Sequence, residues 1–410
     1  MRVLLLLPTA TYRAPDFVDA AAALGVEVVV GSEQAQAMAS AMGDRALVVP
    51  LADPQRSAEV IEELHRRSPV AAVVAVDEQG VVAAATASER LGFRHNPPAA
   101  VAATRDKAAM RRLMAGAGLP QPALRLAGPL DDVAAVATEV GLPCVVKARS
   151  LSGSRGVIRA DTAVGATVAA ARVREIVATA GGSADDPIVI EAFVPGGEVA
   201  VEALLRDGEL RVLATFDKPD PLDGPYFEET LYVTPSRHDP ALLARLHGTV
   251  AEAAAAIGLV DGPVHAEARL TPDGTVVVLE VAARSIGGLC ARTLRFGAGI
   301  SLEEVILRHA LDLPVDDLGR EASAAGVLMV PIPTSGVLRA VGGVDDARAV
   351  PGIAGVEITV LAGRPVHALP EGDRYLGFVF ARGAQPADVE ASLRAAHAAL
   401  AIAIDPLSAI

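Results

Sequence analysis

A chain of 410 residues with 51% hydrophobic content suits roughly two to three domains with sizeable cores. A net charge of −14 argues against a nucleic-acid backbone as partner, which needs a basic surface, although a local cluster of cations can still hold a nucleotide. Cys144 and Cys290 give neither metal spacing nor a disulfide framework, which fits a reducing cytoplasm, and the apolar run Val3–Leu7 stops at Pro8, too short for a signal peptide or a membrane span.

The first 95 residues alternate apolar runs (Val3–Leu7, Val26–Val30, Ala46–Val49, Ala71–Ala75) with helical segments at Pro15–Leu24, Ser32–Met42 and Pro54–Arg67. Continuous apolar strands between helices predict an α/β fold whose doubly wound parallel sheet is covered on both faces. The turn after the first strand, Pro8-Thr9-Ala10-Thr11, has no glycine, which disfavours a classical dinucleotide site. His95-Asn96-Pro97-Pro98 marks a boundary, followed by an expected helix from about Pro98 to Ala117. Strands are expected at Pro143–Arg149, Pro187–Phe193, Glu198–Arg206, Leu210–Asp217, Val264–Leu270 and Thr275–Val281, with a helix at Asp161–Ala180. The last hundred residues offer strands at Val327–Pro331, Val356–Leu361 and Tyr375–Ala381 and a helix at Pro386–Ala401.

Only three of the 36 basic residues are lysines: Lys107, Lys147 and Lys218. A lysine that persists in an arginine-dominated chain marks a place where a compact ammonium is wanted. Lys147 ends an apolar run and precedes the small-residue loop Ser152-Gly153-Ser154-Arg155-Gly156. Such a loop is either a phosphate cradle built of backbone N–H groups or an ordinary surface loop. Glu191-Ala192-Phe193-Val194, followed by Pro-Gly-Gly and Glu198, reads as a hinge that could meet a planar base and a ribose, or as a simple turn. Period-2 alternation puts His265, Glu267 and Arg269 on one strand face, and a hairpin centred on Asp273-Gly274 sets Glu267 directly opposite Glu280. Facing carboxylates call for a cation between them, and Mg²⁺ takes one or two carboxylates plus phosphates. That pairing requires the unbulged register; a glycine bulge at Pro-Asp-Gly would put the two glutamates on opposite faces. Arg284 enters a glycine loop four residues beyond Glu280, suited to a phosphoryl oxygen or to a loop salt bridge.

Taken in this order, Lys107, Lys147 with its loop, Glu191–Val194 with Glu198, and Glu267/Glu280/Arg284 resemble the ATP-grasp superfamily across residues 95–310. The segments FDKPDPLDGPYFEET, EVAARSIGG and DRYLGFVFARG resemble its L-amino-acid ligases (dipeptide synthetases) and related carboxylate–amine ligases. The resemblance implies a pre-ATP-grasp domain at 1–95, an ATP-grasp domain at 96–310 with a lid at about 118–195, and a biotin-carboxylase-like C-terminal region at 311–410 completing the catalytic domain. It implies ATP held by Lys107 and Lys147 at the phosphates, Ser152, Gly153, Ser154 and Gly156 in the lid loop, Glu191, Phe193 and Val194 at the adenine, and Glu198 at the ribose. Glu267 and Glu280 would bind Mg²⁺, with Mn²⁺ as an alternative ion, and Arg284 would stabilise the acyl-phosphate.

Lys218 and Glu228 in the proline-rich loop, His265, and the uncrowded Gly287-Gly288 are candidate substrate contacts; a structural role for His265 is equally open. Ala282 stands where the family often has Asn, which leaves a second Mg²⁺ short of a ligand unless Glu280 bridges both ions. The implied chemistry is phosphorylation of a carboxylate by ATP and attack of an amine to give an amide, ADP and phosphate, with small-molecule acid and amine substrates and, as often in the family, a homodimer. The alternatives are a ligase joining an amino acid to a carrier thiol or another amine in natural-product biosynthesis, and a nucleotide-binding module without turnover. Which acid and amine are joined is not encoded in any motif.

Overall fold

The computed structural model describes residues 1–406 except residues 10, 37, 38 and 316. The first sheet consists of four parallel strands, Arg2–Leu6, Glu27–Ser32, Ala46–Val48 and Ala72–Ala75, with the third at one edge and the fourth at the other. Alternate residues of the first strand feed two cores, as both-face burial requires. Val3 and Leu5 pack with Phe17 of helix Ala14–Ala23 and with Val305 and Ile306 of helix Leu302–Ala310. Leu4 and Leu6 pack with Ile61 and Leu64 of helix Pro54–Arg67 and Ala83 of helix Val81–Leu91. The helix expected over Ser32–Met42 is shorter: Ser32 belongs to the second strand, helix begins at Ala39, and residues 37 and 38 lie outside the described residues.

The helix expected from Pro98 to Ala117 is two, Pro98–Thr104 and Lys107–Gly116. Asp106 breaks it by leaving helical geometry and accepting the N–H groups of Ala108 and Ala109 as an N-cap, which places Lys107 at the first turn of the new helix. A small antiparallel sheet follows, with Leu124–Ala127, Ile188–Ala192, Cys144–Lys147 and Val157–Ala160 in spatial order. Helices Val133–Val140 and Ala163–Thr179 share a core with it.

The central sheet has eight strands. Five come from the middle of the chain, in spatial order Val276–Ala282, Gly262–Leu270, Gly197–Arg206, Glu209–Lys218 and Leu231–Thr234. Ala324–Val330, Gly377–Gly383 and Ile353–Ile358 from the final hundred residues extend the same sheet. Among the described residues, no helix is long and apolar enough to cross a membrane.

The Glu267–Glu280 hairpin corrects the expected register in its mechanism. Next to the turn the pairing is Leu270 with Val276 and Ala268 with Val278, the slipped register that would have separated the glutamates. A β-bulge at Leu279 then shifts the pairing by one residue, so Glu267 faces Glu280 and His265 faces Ala282. The hairpin is thus bulged, and the facing of the two carboxylates depends on the bulge.

Candidate active site

Reversal of strand order between the first and fourth strands of the parallel sheet opens a crevice at their carboxyl ends, the usual place for a ligand in such sheets. Tyr12, Asp77 and Glu78 leave those ends and line a cavity of about 280 Å³ between the parallel, small and central sheets. Lys107, Lys147, Ser152, Gly153, Ser154, Glu191, Phe193, Val194 and Glu198 line it too. So do Glu228, His265, Glu267, Glu280, Arg284, Gly287 and Gly288. Of the residues singled out from sequence, Gly156 and Lys218 lie behind the cavity surface.

Under the small sheet the charge excess is positive. Lys147 and Arg111 both donate to the buried Glu191, Arg111 in a two-point fork of 3.1 and 3.3 Å. Burial pushes the Lys147 ammonium down to about 8 despite Glu191. Burial would raise Glu191, but Arg111 and then Lys147 hold it at about 2. Arg111 was missed from sequence; it lies four residues after Lys107, on the same face of one helix. The ammonium of Lys107 reaches the carbonyl of Leu151 at 2.5 Å and lies 3.8 Å from Glu280. Gly153 and Ser154 both have positive φ, as a tight backbone cradle requires. The N–H of Gly156 instead donates to the carbonyl of Pro370 at 2.9 Å, so it is already satisfied. Phe193 stacks with Phe227 at 6.4 Å between centroids, with the guanidiniums of Arg159 and Arg269 over its ring.

On the central sheet the polar residues form cross-strand ladders. Register sets Arg269, Glu198 and Lys218 side by side, and each oxygen of Glu198 has a cation: Arg269 at 3.2 Å and Lys218 at 2.7 Å. Lys218 also donates to Glu229 and lies 3.2 Å from Glu267. Burial opposes its charge, but Glu198, Glu229 and Glu267 together hold the ammonium well above its ordinary value. Burial and the neighbouring Glu267 raise Glu229 to about 7, with Lys218 pulling the other way. Glu198, Glu229 and Glu267 have oxygens within 4.8 Å of one another, the geometry of a cation site, and Lys218 fills that role. Its ammonium orients carboxylates from behind the cavity.

His265 sits between the fully buried Glu202 and Glu267; burial lowers its pKa, but the bonds to Glu202 and Glu267 outweigh this and raise it to about 9. Glu202, also missed from sequence, accepts the N–H of Ile286 at 3.1 Å and so fixes the loop after Arg284. Arg284 donates to Glu78 at 2.6 Å; burial disfavours its charge, and Glu78 and Glu280 more than restore it. Nothing local in the sequence marks Asp77 and Glu78. Glu267 and Glu280 are hard oxygen donors facing each other in the cleft, and this donor set fits Mg²⁺; Ala282 adds no third oxygen.

Residues 140–293 match the family described as ATP-grasp domain, and residues 18–95 the ATP-grasp N-terminal domain, together more than half of the chain. The chain is an ATP-grasp protein. Residues 328–405 match L-amino acid ligase C-terminal domain 2, which places this ATP-grasp protein with the L-amino-acid-ligase-like members. It is 26% identical over 268 residues to alanine–anticapsin ligase of Bacillus subtilis, covering 61% of this chain and 56% of that one. It is 28% identical to the formate-dependent phosphoribosylglycinamide formyltransferase of Rhodococcus jostii (strain RHA1), covering 80% and 79%. The L-amino acid ligase of Bacillus licheniformis superposes with a TM-score of 0.78 over 99% of both chains, at 23% identity, a likeness of fold. The ATP-grasp chain spans 62% and 56% of the length of two curated relatives it matches.

Proposed function

We propose that this protein is an ATP-dependent carboxylate–amine ligase acting on amino acids. It would phosphorylate a carboxylate and pass the acyl group to an amine, releasing ADP and phosphate. The observation that carries the proposal is the meeting, in one cleft, of Lys107 and Lys147 with the facing pair Glu267/Glu280 and with Arg284. Holding a nucleotide without turnover would not call for a carboxylate pair and a buried guanidinium beside the phosphate cations.

In this proposal Lys107, Lys147 and the loop Ser152–Ser154 hold the triphosphate, while Phe193, Val194 and Glu191 flank the adenine and Glu198 the ribose. Mg²⁺ or Mn²⁺ held by Glu267 and Glu280 would offset charge on the transferring phosphoryl group. Arg284 would stabilise the acyl-phosphate and the tetrahedral adduct that follows amine attack. Lys218 would act by orienting Glu229 and Glu267. An α-amino acid carries both charges, and the cleft offers both, with Glu78, Glu228 and Glu229 for an ammonium and Arg284 and Arg374 for a carboxylate. Likeness to a ligase named for alanine and anticapsin supports the same substrate class.

The test is ADP release with pooled amino acids, followed by mass spectrometry of paired substrates. Release that requires both an acid and an amine, with an amide product, is expected. Release no higher with substrates than without would overturn the proposal, and a thioester or non-amino-acid amide would redirect it to another acceptor.

A further inference from the structure

Two ion pairs join the small-sheet region to residues 367–375, which border the cleft: Arg155 lies 4.0 Å from Asp373, and the pair of Arg172 with Glu371 is much closer. Arg172, on helix Ala163–Thr179, meets Glu371 side-on, its Nε and Nη2 at 2.6 and 2.9 Å from the two carboxylate oxygens. Its remaining nitrogen donates to the hydroxyl of Tyr226, and its guanidinium lies over the Tyr226 ring at 5.3 Å.

Both partners belong to segments with a foot in each region. Residues 367–375 touch the small sheet through Glu371 and through the carbonyl of Pro370, which takes the N–H of Gly156 at the end of the phosphate loop. His367, Leu369, Arg374 and Tyr375 of the same segment line the cleft. Tyr375 packs edge-on against Phe378, and a Cβ on Gly288 would lie 2.9 Å from the Phe378 ring. Tyr226 bridges to Ile158 in the small sheet, while Phe227, Glu228 and Glu229 beside it line the cleft.

We propose that Arg172, Glu371 and Tyr226 form a latch that couples closure of the small sheet over the phosphates to the walls of the substrate end. They are positioning residues: none touches the cavity. The forked geometry specifies one closed arrangement. The side chains of the pair are 41% and 39% exposed, so the bond is weak enough to be made and broken in every turnover. The purpose of the latch rests on the ligase proposal above. In an open cleft, water would add to the acyl carbon, the carbon–oxygen bond to phosphate would break, and phosphate would leave with the bonding pair, returning the free acid. Each such event consumes ATP without forming an amide.

The test compares amide hydrogen exchange of residues 152–160 in the wild type, Glu371→Gln and the reversed pair Arg172→Glu/Glu371→Arg, each with Mg²⁺ and the β,γ-imido analogue of ATP. Exchange in Glu371→Gln should rise about threefold, the equilibrium weight of an exposed ion pair. Exchange of residues 3–6 in the parallel sheet should be unchanged, and the reversed pair should return toward the wild type. With substrates, Glu371→Gln should release more ADP than amide. Equal exchange in the wild type and Glu371→Gln, or a reversed pair no better than the single variant, would overturn the latch. A wild type that closes on the analogue but shows no acid- and amine-dependent ADP release would overturn the ligase proposal and leave the closure result standing.

Discussion

Under the small sheet one carboxylate, Glu191, is shared by two cations, Arg111 and Lys147; under the central hairpin one ammonium, Lys218, is shared by three carboxylates, Glu198, Glu229 and Glu267. The first cluster leaves a positive charge uncompensated, whereas in the second Arg269 also pairs with Glu198 and His265 with Glu267, so it lies closer to balance while presenting carboxylate oxygens to the cleft. Desolvated charge is costly unless paired, so a buried excess shows what a site is built to receive. The first suits the polyanionic phosphates of a nucleotide. In the ligase proposal the carboxylates of the second would meet cations, a divalent ion at Glu267/Glu280 and a substrate ammonium. The two lie on one cavity, with Lys107 and Glu280, 3.8 Å apart, at their junction.

The contrast can be broken at five positions, taken from the largest expected effect to the smallest. Glu280→Ala removes one of the facing carboxylates and should lower ADP release at least about 100-fold while the melting transition stays cooperative. Near-normal release would refute the metal assignment. Lys218→Met and Glu191→Gln each unbalance a buried cluster and should cost about 3–5 kcal/mol in urea unfolding. Acid should lessen the cost of Lys218→Met, because protonation relieves the carboxylates that the lost ammonium leaves stranded. Wild-type stability itself should fall as pH drops below the ordinary carboxylate range towards about 2, since Glu191 is held low in the folded state and its contribution is complete only above the unfolded value. Gly288→Ala meets Phe378 at 2.9 Å with φ of +63° and should cost about 1–3 kcal/mol, read as a lower melting temperature. Finally, Lys147 loses its proton near pH 8, so KM for ATP should rise a few-fold as pH passes upward through about 8, and Lys147→Arg should flatten that rise. A flat wild-type profile would mean that the Lys147 charge does not contribute to ATP binding.

Much of this cleft was legible in the chain. The sparing use of lysine pointed to Lys107 and Lys147, which lie on the cavity, and to Lys218, which lies just behind it in contact with three of its carboxylates. Period-2 alternation placed His265, Glu267 and Arg269 on one face. The facing of Glu267 and Glu280 was expected from a straight hairpin, yet it arises from a slipped turn corrected by the bulge at Leu279. A bulge leaves no mark in a run of valines and leucine, because every residue there is compatible with either pairing. The break before Lys107 was written in Asp106, a capping residue, but the apolar spacing on both sides reads equally well as one helix.

The sequence by itself determined the elements, since local periodicity, capping residues and buried apolar runs act over a few residues. It also singled out many of the side chains that line the cleft, though not Tyr12, Asp77 or Glu78. Only the tertiary structure decided who shares a charge with whom. Glu78 and Arg284 are 206 residues apart in the chain, and Arg111 reaches Glu191 across 80. Such pairs follow from strand order and from the cost of burying an unpaired charge, which is settled when the sheets close around the cleft. The same closure makes Lys218 a brace for carboxylates instead of a surface waiting for substrate.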